Sequence, residues 1–260
     1  SEEKKQIVFK GGEGKCKNST FDVVGSLGKG GFGTVLKCRN QDDGQLYSIK
    51  VTFIQNLKTE PNDDARKANN LKIFEDIRFE YAIGSHVCEH DNIAKYHGFG
   101  QDQDGDVCIV MELLEGGSLR DLIMRGAPND DDLYKYLDQV TAALKHMHKK
   151  RVFHRDIKPE NVMLDKGGKN AKFVDFGLGA IDKNVDLTKD EFVKRNLSTA
   201  AGTVMWMARE MRDYMPNRKY TCRSEFYPIG LLIWFIITKK EPFERLVDYA
   251  RCAIPEQEGN

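Results

Sequence analysis

The stretch HRDIKPEN, at residues 154–161, decides the fold and the chemistry of this 260-residue chain. It supplies a carboxylate at Asp156, an ammonium two residues later at Lys158 and an amide at Asn161. A second carboxylate, Asp175, opens the string DFG further along the chain. Mg²⁺ prefers carboxylate and amide oxygens, and an ammonium neutralises phosphate charge. The two strings therefore predict a site for divalent metal ions and a phosphoryl group in transfer.

Together the two strings resemble the catalytic loop and the metal-binding loop of eukaryotic protein kinases. The resemblance implies that Asp156 orients the substrate hydroxyl and accepts its proton, and that Lys158 neutralises charge on the γ-phosphoryl group of ATP. It also implies that Asn161 and Asp175 hold the Mg²⁺ ions that bridge the ATP phosphates. Lys158 and Thr203 resemble the serine/threonine-specific branch of the family. The expected partner is therefore a protein substrate with a serine or threonine acceptor.

A glycine-rich string, GKGGFGTV at residues 28–35, places Gly28, Gly30, Gly33 and Val35 in the pattern G-x-G-x-x-G-x-V. Alone, this pattern also fits a dinucleotide fingerprint or a flexible turn. A dinucleotide fold needs a helix after the third glycine, whereas β-branched residues typical of a strand follow here. Small residues let backbone N–H groups approach phosphates closely. Because this string occurs together with the kinase-like strings, we predict that it forms a loop that covers the ATP phosphates.

Lys50, at the end of the strand-like string YSIK, resembles the family lysine that contacts the ATP phosphates; an ordinary surface lysine is the alternative. A buried ammonium needs a carboxylate partner, and the resemblance implies Glu80 rather than Glu75. The family has a bulky apolar residue four positions after that glutamate, whereas this chain has Gly84. We expect either a helix bulge that brings Ile83 into that place or a weak core there.

The string IVMELLEGG, at residues 109–117, resembles the hinge of the family. The resemblance implies that Met111 limits the depth of the adenine pocket. It also implies that the backbone groups of Glu112 and Leu114 form hydrogen bonds with the adenine edge. An ordinary buried strand end is the alternative.

The overall pattern predicts an α+β, two-lobed protein-kinase-like fold. We expect a flexible lead-in over residues 1–20, a β-rich N-lobe over 21–111, a hinge over 112–117 and a helical C-lobe over 118–260. An amphipathic helix in the C-lobe is indicated by Leu133, Leu137, Val140, Leu144 and Met147. Kinase domains normally continue beyond their central C-lobe helix. We therefore expect a natural short variant, a fragment, or a lobe that a partner completes.

Two further residues depart from the family pattern. Arg209 replaces the proline of A-P-E, and Glu225 replaces the aspartate that braces the catalytic loop. With Gly84 and the short C-lobe, they motivate a rival hypothesis: a nucleotide-binding pseudokinase that acts as an allosteric or scaffold module. A small-molecule kinase of the same fold is a third possibility. Because none of the charged catalytic groups is missing, we favour an ATP-dependent, Mg²⁺-requiring protein serine/threonine kinase.

Arg155 directly precedes Asp156, an arrangement that in kinases accompanies control by phosphorylation of the activation segment. Ser198 and Thr199 offer hydroxyls in that segment. A phosphate on either one would carry nearly two negative charges and would form bidentate hydrogen bonds with Arg155. The alternative is a polar surface loop without this role.

Composition narrows the class of protein. The 40 basic and 40 acidic side chains cancel, so no nucleic-acid partner is indicated. The six cysteines are scattered without a C-x-x-C pair, which favours a reduced intracellular protein over a zinc site. No apolar run approaches the about 20 residues that span a bilayer, and no signal peptide is visible. We expect an intracellular, cytoplasmic protein without a membrane span.

Overall fold

The computed structural model describes residues 4–30, 33–54, 63–126, 128–182, 203–208, 211 and 220–243. The chain forms two compact units. The first comprises Ser1–Glu115 with Asp175–Gly177, and the second comprises Gly116–Val174 with Leu178–Asn260. The first unit is mainly sheet and the second contains three of the four described α-helices. The predicted α+β class is confirmed.

In the part of the first unit that the structure describes, there are a seven-stranded antiparallel sheet and one long helix. Its elements are β1 (Gln6–Val8), β2 (Glu13–Gly14), β3 (Thr20–Gly30), β4 (Gly33–Asn40), β5 (Leu46–Thr52), α1 (Asp63–Val87), β6 (Tyr96–Gln101) and β7 (Val107–Glu112). The strand order is β1-β3-β4-β5-β7-β6-β2. The first four residues of β7, VCIV, are all buried, because this strand lies inside the sheet between β5 and β6. Apolar β-branched residues favour such a buried strand.

The hairpin of β3 and β4 is irregular where the glycine-rich string lies. The register shifts between Val23 and Gly25 and again between Ser26 and Gly28. Such bulges bend a strand and increase its twist. At the start of β4, a Cβ on Gly33 would lie 2.1 Å from the carbonyl oxygen of Val51 on β5. Only glycine therefore allows the two backbones to approach this closely.

The prediction of a flexible lead-in over residues 1–20 is wrong for the described residues 4–20. Strand β1 pairs with β3, and β2 pairs with β6. Ile7, Phe9 and Cys16 are buried in the same core cluster as Phe21, and the Phe9 ring meets the Phe21 ring edge-on at 5.9 Å. Burying a side chain as large as Ile or Phe contributes about 1.5–3 kcal/mol. That contribution offsets the entropy cost of ordering this polar segment.

Lys4 fixes the beginning of that segment electrostatically. Its ammonium contacts the carboxylates of Asp102 and Asp104, the latter at 3.0 Å, and of Asp106 at 2.8 Å. Asp102 and Asp106 are buried, so their charges need a compensating cation. Lys4 supplies that cation.

Within its described residues, the second unit contains three α-helices and two short two-stranded sheets. The helices are α2 (Leu119–Met124), α3 (Asp130–Lys149) and α4 (Phe226–Thr238), and the strands are β8 (Val152–Phe153), β9 (Val162–Leu164), β10 (Ala171–Phe173) and β11 (Ala180–Ile181). Short 3₁₀ helices occur at Pro159–Asn161, Val204–Trp206 and Cys222–Glu225. Strand β9 pairs with β10, and β8 pairs with β11.

The sequence explains where helix α3 begins, where it ends and which face it buries. The Asn129 side chain accepts a hydrogen bond from the Asp132 N–H at the N-terminus of the helix. Acidic residues in the first turn interact favourably with the positive end of the helix dipole. Two histidines and a lysine occupy the last turn. The predicted apolar stripe is largely confirmed, although Tyr136 is buried where Leu137 was expected. The buried residues are Leu133, Tyr136, Val140, Ala143, Leu144 and Met147.

The predicted end of the C-lobe falls on residues 244–260, which lie outside the described residues. The expected activation segment, apart from its described ends, also lies outside them. Among the helices that the structure describes, none is long and apolar enough to cross a membrane.

Candidate active site

In the first unit, the ammonium of Lys50 contacts two carboxylates. Its Nζ lies 2.8 and 2.9 Å from the two oxygens of Glu80 on α1 and 3.2 Å from Oδ1 of Asp175. Glu80 is buried, whereas Glu75 is exposed. Burial lowers the pKa of Lys50, but the charges of Glu80 and Asp175 outweigh this effect and raise the pKa above its ordinary value. The ammonium therefore stays charged at neutral pH.

The helix bulge proposed for Gly84 does not occur. Helix α1 continues regularly through this position, and the space beside Gly84 is filled by the ring of Tyr96 from β6. A Cβ on Gly84 would lie 2.5–2.6 Å from three carbons of that ring. The same ring meets the ring of Phe176 edge-on, with 6.0 Å between centroids. The missing side chain on the helix is thus compensated by a large one on the sheet.

The hydroxyl of Tyr96 is buried near the backbone N–H groups of Asp175 and Phe176, without a hydrogen bond of ordinary geometry. Burial raises the pKa of this phenol well above its ordinary value, and the carboxylates of Glu80 and Asp175 act in the same direction.

Asp175 is held in an unusual backbone conformation. Its φ is +64°, in the left-handed region that aspartate tolerates better than most residues. The next residue, Phe176, is fully buried, which anchors the segment. The Asp175 side chain remains 49% exposed, and its Oδ1 accepts a hydrogen bond from the N–H of Gly177. A carboxylate oxygen is therefore presented to solvent from a fixed backbone.

The glycine-rich string forms the facing ends of β3 and β4. Gly28 pairs with Val35, and Gly30 pairs with Gly33. The hydroxyl of Thr34 donates a hydrogen bond to the Gly28 carbonyl at 2.8 Å. Because strand β4 follows the last glycine, a dinucleotide fingerprint is excluded. Residues 31 and 32 of the string lie outside the described part of the chain.

The predicted hinge residues lie at and after the end of β7. The N–H of Glu112 donates to the carbonyl of Lys95 at 2.9 Å, so this N–H is already engaged. The carbonyl oxygen of Glu112 accepts a hydrogen bond from the Ser48 hydroxyl at 2.8 Å, and a carbonyl has a second lone pair. Met111 and Leu114 are half-buried. Both backbone groups of Glu112 therefore take part in hydrogen bonds within the first unit.

In the second unit, Asp156 is surrounded by hydrogen-bond donors. Lys158 Nζ lies 2.7 Å from Asp156 Oδ2 and 2.7 Å from the hydroxyl oxygen of Thr203. The N–H of Thr203 donates to Asp156 Oδ1 at 2.9 Å. The amide nitrogen of Asn161 donates to the carbonyl and to Oδ2 of Asp156, at 2.8 and 2.9 Å. Asn161 thus binds the loop through its amide nitrogen, and its amide oxygen forms neither of these hydrogen bonds.

Burial would raise the pKa of Asp156, but the Lys158 ammonium and the Thr203 N–H outweigh burial and hold the pKa below its ordinary value. The carboxylate is therefore ionised at neutral pH. An ionised, half-buried carboxylate can accept a hydrogen bond from a hydroxyl and orient it.

Residue Arg155 stands in a strained backbone conformation. Its φ of +66° lies in the left-handed region, which costs a residue of this type about 1–3 kcal/mol. Its N–H donates to Oε1 of Glu225 at 2.8 Å. Glu225 is buried, and its other oxygen, Oε2, contacts Nε2 of His148. Glu225 therefore braces the backbone of Arg155 and also contacts α3.

Some of the nitrogen atoms of the Arg155 guanidinium are bound by neighbouring groups and some are not. It lies over the ring of Tyr220, 5.3 Å from the centroid, and donates from Nη1 to the carbonyl of Leu178 at 3.2 Å. Its Nε is buried and has no hydrogen-bond partner. Ser198 and Thr199, the predicted phosphorylation sites, lie outside the described residues.

The sequence matches the family model of the protein kinase domain over residues 21–254. The chain belongs to the protein kinase family. The match extends beyond residue 243, where the resemblance in the motifs ended. The predicted kinase fold class is confirmed by this match.

Serine/threonine kinases are among the similar proteins. The chain is 29% identical, over 91% of its length, to the serine/threonine-protein kinase BCK1/SLK1/SSP31 of Saccharomyces cerevisiae, and covers 15% of that protein. It is 30% identical, over 85% of its length, to the MAP kinase kinase MKK1/SSP32 of the same yeast, and covers 40% of it. For CBL-interacting protein kinase 21 of Oryza sativa the identity is 30%, covering 86% of the chain and 39% of the relative. The chain thus spans less than half the length of these relatives.

Two side chains near these groups were not identified from the sequence: Tyr96 and His148. Tyr96 looked like an ordinary strand residue, although a search for a bulky residue to complement Gly84 would have suggested it. His148 ends the apolar stripe of α3, and its partner lies 77 residues away. No local signal connects the two.

Proposed function

We propose that this chain is an ATP-dependent, Mg²⁺-requiring protein serine/threonine kinase. The observation that carries the proposal is the arrangement around Asp156. An ionised carboxylate is held by Lys158 and by the backbone and hydroxyl of Thr203. This is the constellation that a hydroxyl acceptor and a negatively charged phosphoryl group require.

The residues available for Mg²⁺ fit its chemistry. Asp175 presents a half-exposed carboxylate, and Asn161 keeps its amide oxygen available, so both offer the hard oxygen ligands that Mg²⁺ prefers. When bound, Mg²⁺ neutralises charge on the ATP phosphates and orients them. Asp175 and Asn161 would hold it.

The proposed chemistry of the second unit is a direct phosphoryl transfer. Asp156 accepts a hydrogen bond from the serine or threonine hydroxyl and takes its proton as the oxygen attacks the γ-phosphorus. The bond between the γ-phosphorus and the bridging oxygen breaks, and ADP leaves with the electron pair. Lys158 donates to the phosphoryl oxygens, whose charge it compensates. Positioning and electrostatics account for most of the catalysis in this reaction class.

The first unit would bind the nucleotide. Lys50, kept charged by Glu80, donates to the ATP phosphates. The backbone of the β3–β4 hairpin covers the phosphates, where Gly28 and Gly30 leave N–H groups unobstructed. The Glu112 carbonyl accepts a hydrogen bond from the adenine amino group, and Met111 limits the pocket.

A phosphoryl-transfer assay tests this proposal. Purified chain, Mg²⁺ and γ-labelled ATP are incubated with casein or myelin basic protein, beside the Asp156→Asn variant. We expect label on serine and threonine after acid hydrolysis, and its loss in the variant, because asparagine cannot take the hydroxyl proton. Nucleotide binding without any transfer would support the rival pseudokinase instead.

We further propose that phosphorylation of Ser198 or Thr199 activates the chain through Arg155. The support is the buried Arg155 Nε without a partner, since a phosphate oxygen would satisfy this donor. A phosphate brings strong acceptors and nearly two negative charges. It would thereby stabilise the loop that contains Asp156.

Intact-mass measurement and peptide mapping after incubation with ATP test this regulation. We expect phosphate between residues 190 and 202 and a roughly tenfold or greater gain in activity. The Ser198→Ala/Thr199→Ala double variant should lose both. Full activity in the double variant, with no phosphate gained in that segment of the wild type, would rule the switch out.

A further inference from the structure

The carboxylate of Glu225 links two parts of the second unit that are distant in sequence. One oxygen accepts the Arg155 N–H at 2.8 Å, and the other contacts Nε2 of His148 near the end of α3. Glu225 is 1% exposed, so water does not share these contacts. A carboxylate with one partner on each oxygen has a fixed orientation.

His148 is placed for this contact by packing. Its ring lies against the ring of Phe153, with centroids 5.6 Å apart, and the His148 carbonyl accepts the N–H of Arg151 where the helix ends. Phe153 belongs to β8 and is fully buried. The histidine ring is therefore anchored to the strand that leads into the catalytic loop.

The other charged and titratable groups that face the pair lie on neighbouring segments. They are the His154 ring, which is hydrogen-bonded to the Val174 carbonyl, the Arg155 guanidinium, and the Tyr220 phenol beneath that guanidinium. Oε1 of Glu225 is bound by the Arg155 N–H, whereas His148 Nε2 contacts Oε2. The charge of His148 therefore determines how strongly that oxygen is held.

We propose that His148 is a positioning residue of the catalytic loop: paired with Glu225, it fixes the carboxylate that holds the strained Arg155 peptide next to Asp156. We expect an aspartate at position 225, one methylene shorter, to lose the His148 contact while it keeps the Arg155 N–H. The catalytic part of this inference rests on the proposed kinase function.

The brace is predicted to weaken at alkaline pH. Burial lowers the pKa of His148, but Glu225 outweighs burial and raises the pKa above its ordinary value of 6.5. Burial likewise raises the pKa of Glu225, and His148 with the Arg155 N–H outweighs it and lowers that pKa. A group with a raised pKa contributes its full stabilisation below the unfolded value and loses it as pH rises through the folded value. The His148 contribution is thus complete below pH 6.5 and declines above it.

The decisive experiment is a pH-resolved double-variant cycle on the full chain, with His148→Gln, Glu225→Asp and the combination. Glutamine keeps a donor but not the charge. At pH 6.5 we expect His148→Gln to lower kcat about five- to tenfold, with KM for ATP unchanged, because a charge-assisted hydrogen bond is replaced by a neutral one. The ratio of wild-type to variant kcat should fall toward one by pH 9. In the Glu225→Asp background, His148→Gln should have no effect at either pH.

Hydrogen exchange at the Arg155 amide tests the brace without relying on kinase activity. We expect faster exchange at this amide in His148→Gln than in wild type at pH 6.5, and no change in His86→Gln, whose histidine is exposed on α1. A wild type that transfers no phosphate, but shows this exchange pattern, would refute the proposed function and keep the brace. Equal exchange in wild type and His148→Gln, or a kcat ratio independent of pH and of residue 225, would overturn the inference.

Discussion

Replacing Asp175 by asparagine is expected to lower kcat for Mg²⁺-dependent phosphoryl transfer by on the order of a thousandfold, because a metal-binding carboxylate is lost. The free energy of unfolding should change by less than about 1 kcal/mol, since a half-exposed ion pair contributes little. Lys50 keeps both contacts with Glu80, so its charge remains compensated. Asparagine also tolerates the left-handed backbone at this position.

Steady-state kinetics across a Mg²⁺ titration and urea unfolding measure the two quantities. Asp175→Ala should lose activity as well, but at an added cost of about 1–2 kcal/mol for alanine in the left-handed region. Asp91→Asn, a change of the same kind at an exposed turn position, is the matched control and should leave both quantities unchanged. Wild-type turnover in Asp175→Asn would remove Asp175 from the metal site.

Gly84→Ala is expected to destabilise the chain by about 1–2 kcal/mol, although helix propensity alone predicts a gain of about 0.5–1 kcal/mol. The reason is the Tyr96 ring, 2.5 Å from the position of the new Cβ. Glu80 lies one turn earlier on the same helix, so displacing α1 withdraws it from Lys50. A shift of about 1 Å at such a group can cost on the order of 100-fold in rate.

We expect a glycine-to-alanine change to raise the free energy of unfolding where no side chain occupies the position of the new Cβ. Gly230 of α4 has open space around its Cβ position, so Gly230→Ala should stabilise. In a Tyr96→Leu background, Gly84→Ala should become neutral or stabilising and should recover most of the lost activity. Thermal unfolding and kcat are measured for wild type, Gly84→Ala, Tyr96→Leu and the double variant to test this expectation. If Gly84→Ala stabilises the wild type, the proposed packing of Tyr96 is wrong.

The sequence was informative where chemistry dictates residue type. Proton transfer, charge neutralisation and metal binding require a particular carboxylate, ammonium or amide, so Asp156, Lys158 and Asn161 could be singled out without a structure. The α+β class followed in the same way from apolar periodicity, as in the stripe of α3. Both kinds of signal are local, and a single sequence displays them directly.

What could not be predicted depends on contacts between distant residues. The ring that complements Gly84 comes from another element, and many large side chains could have filled the same volume. Residues 4–20 looked loosely held because their few apolar side chains stand among lysines and glycines, without a recognisable period. Their burial depends on sheet edges that form only when the whole first unit folds.

The ion pairs of Lys4 affect where the N-terminus of an expressed kinase domain should be placed. The family match begins at residue 21, so a conventional boundary would discard Lys4 together with strands β1 and β2. Asp102 and Asp106 would then remain buried without their ammonium, and removing one partner of a buried pair typically costs about 3–5 kcal/mol. The first unit would also lose the side chains of Ile7 and Phe9 from its core. For this kinase, the stable domain therefore starts at least seventeen residues before the family boundary, at or before Lys4.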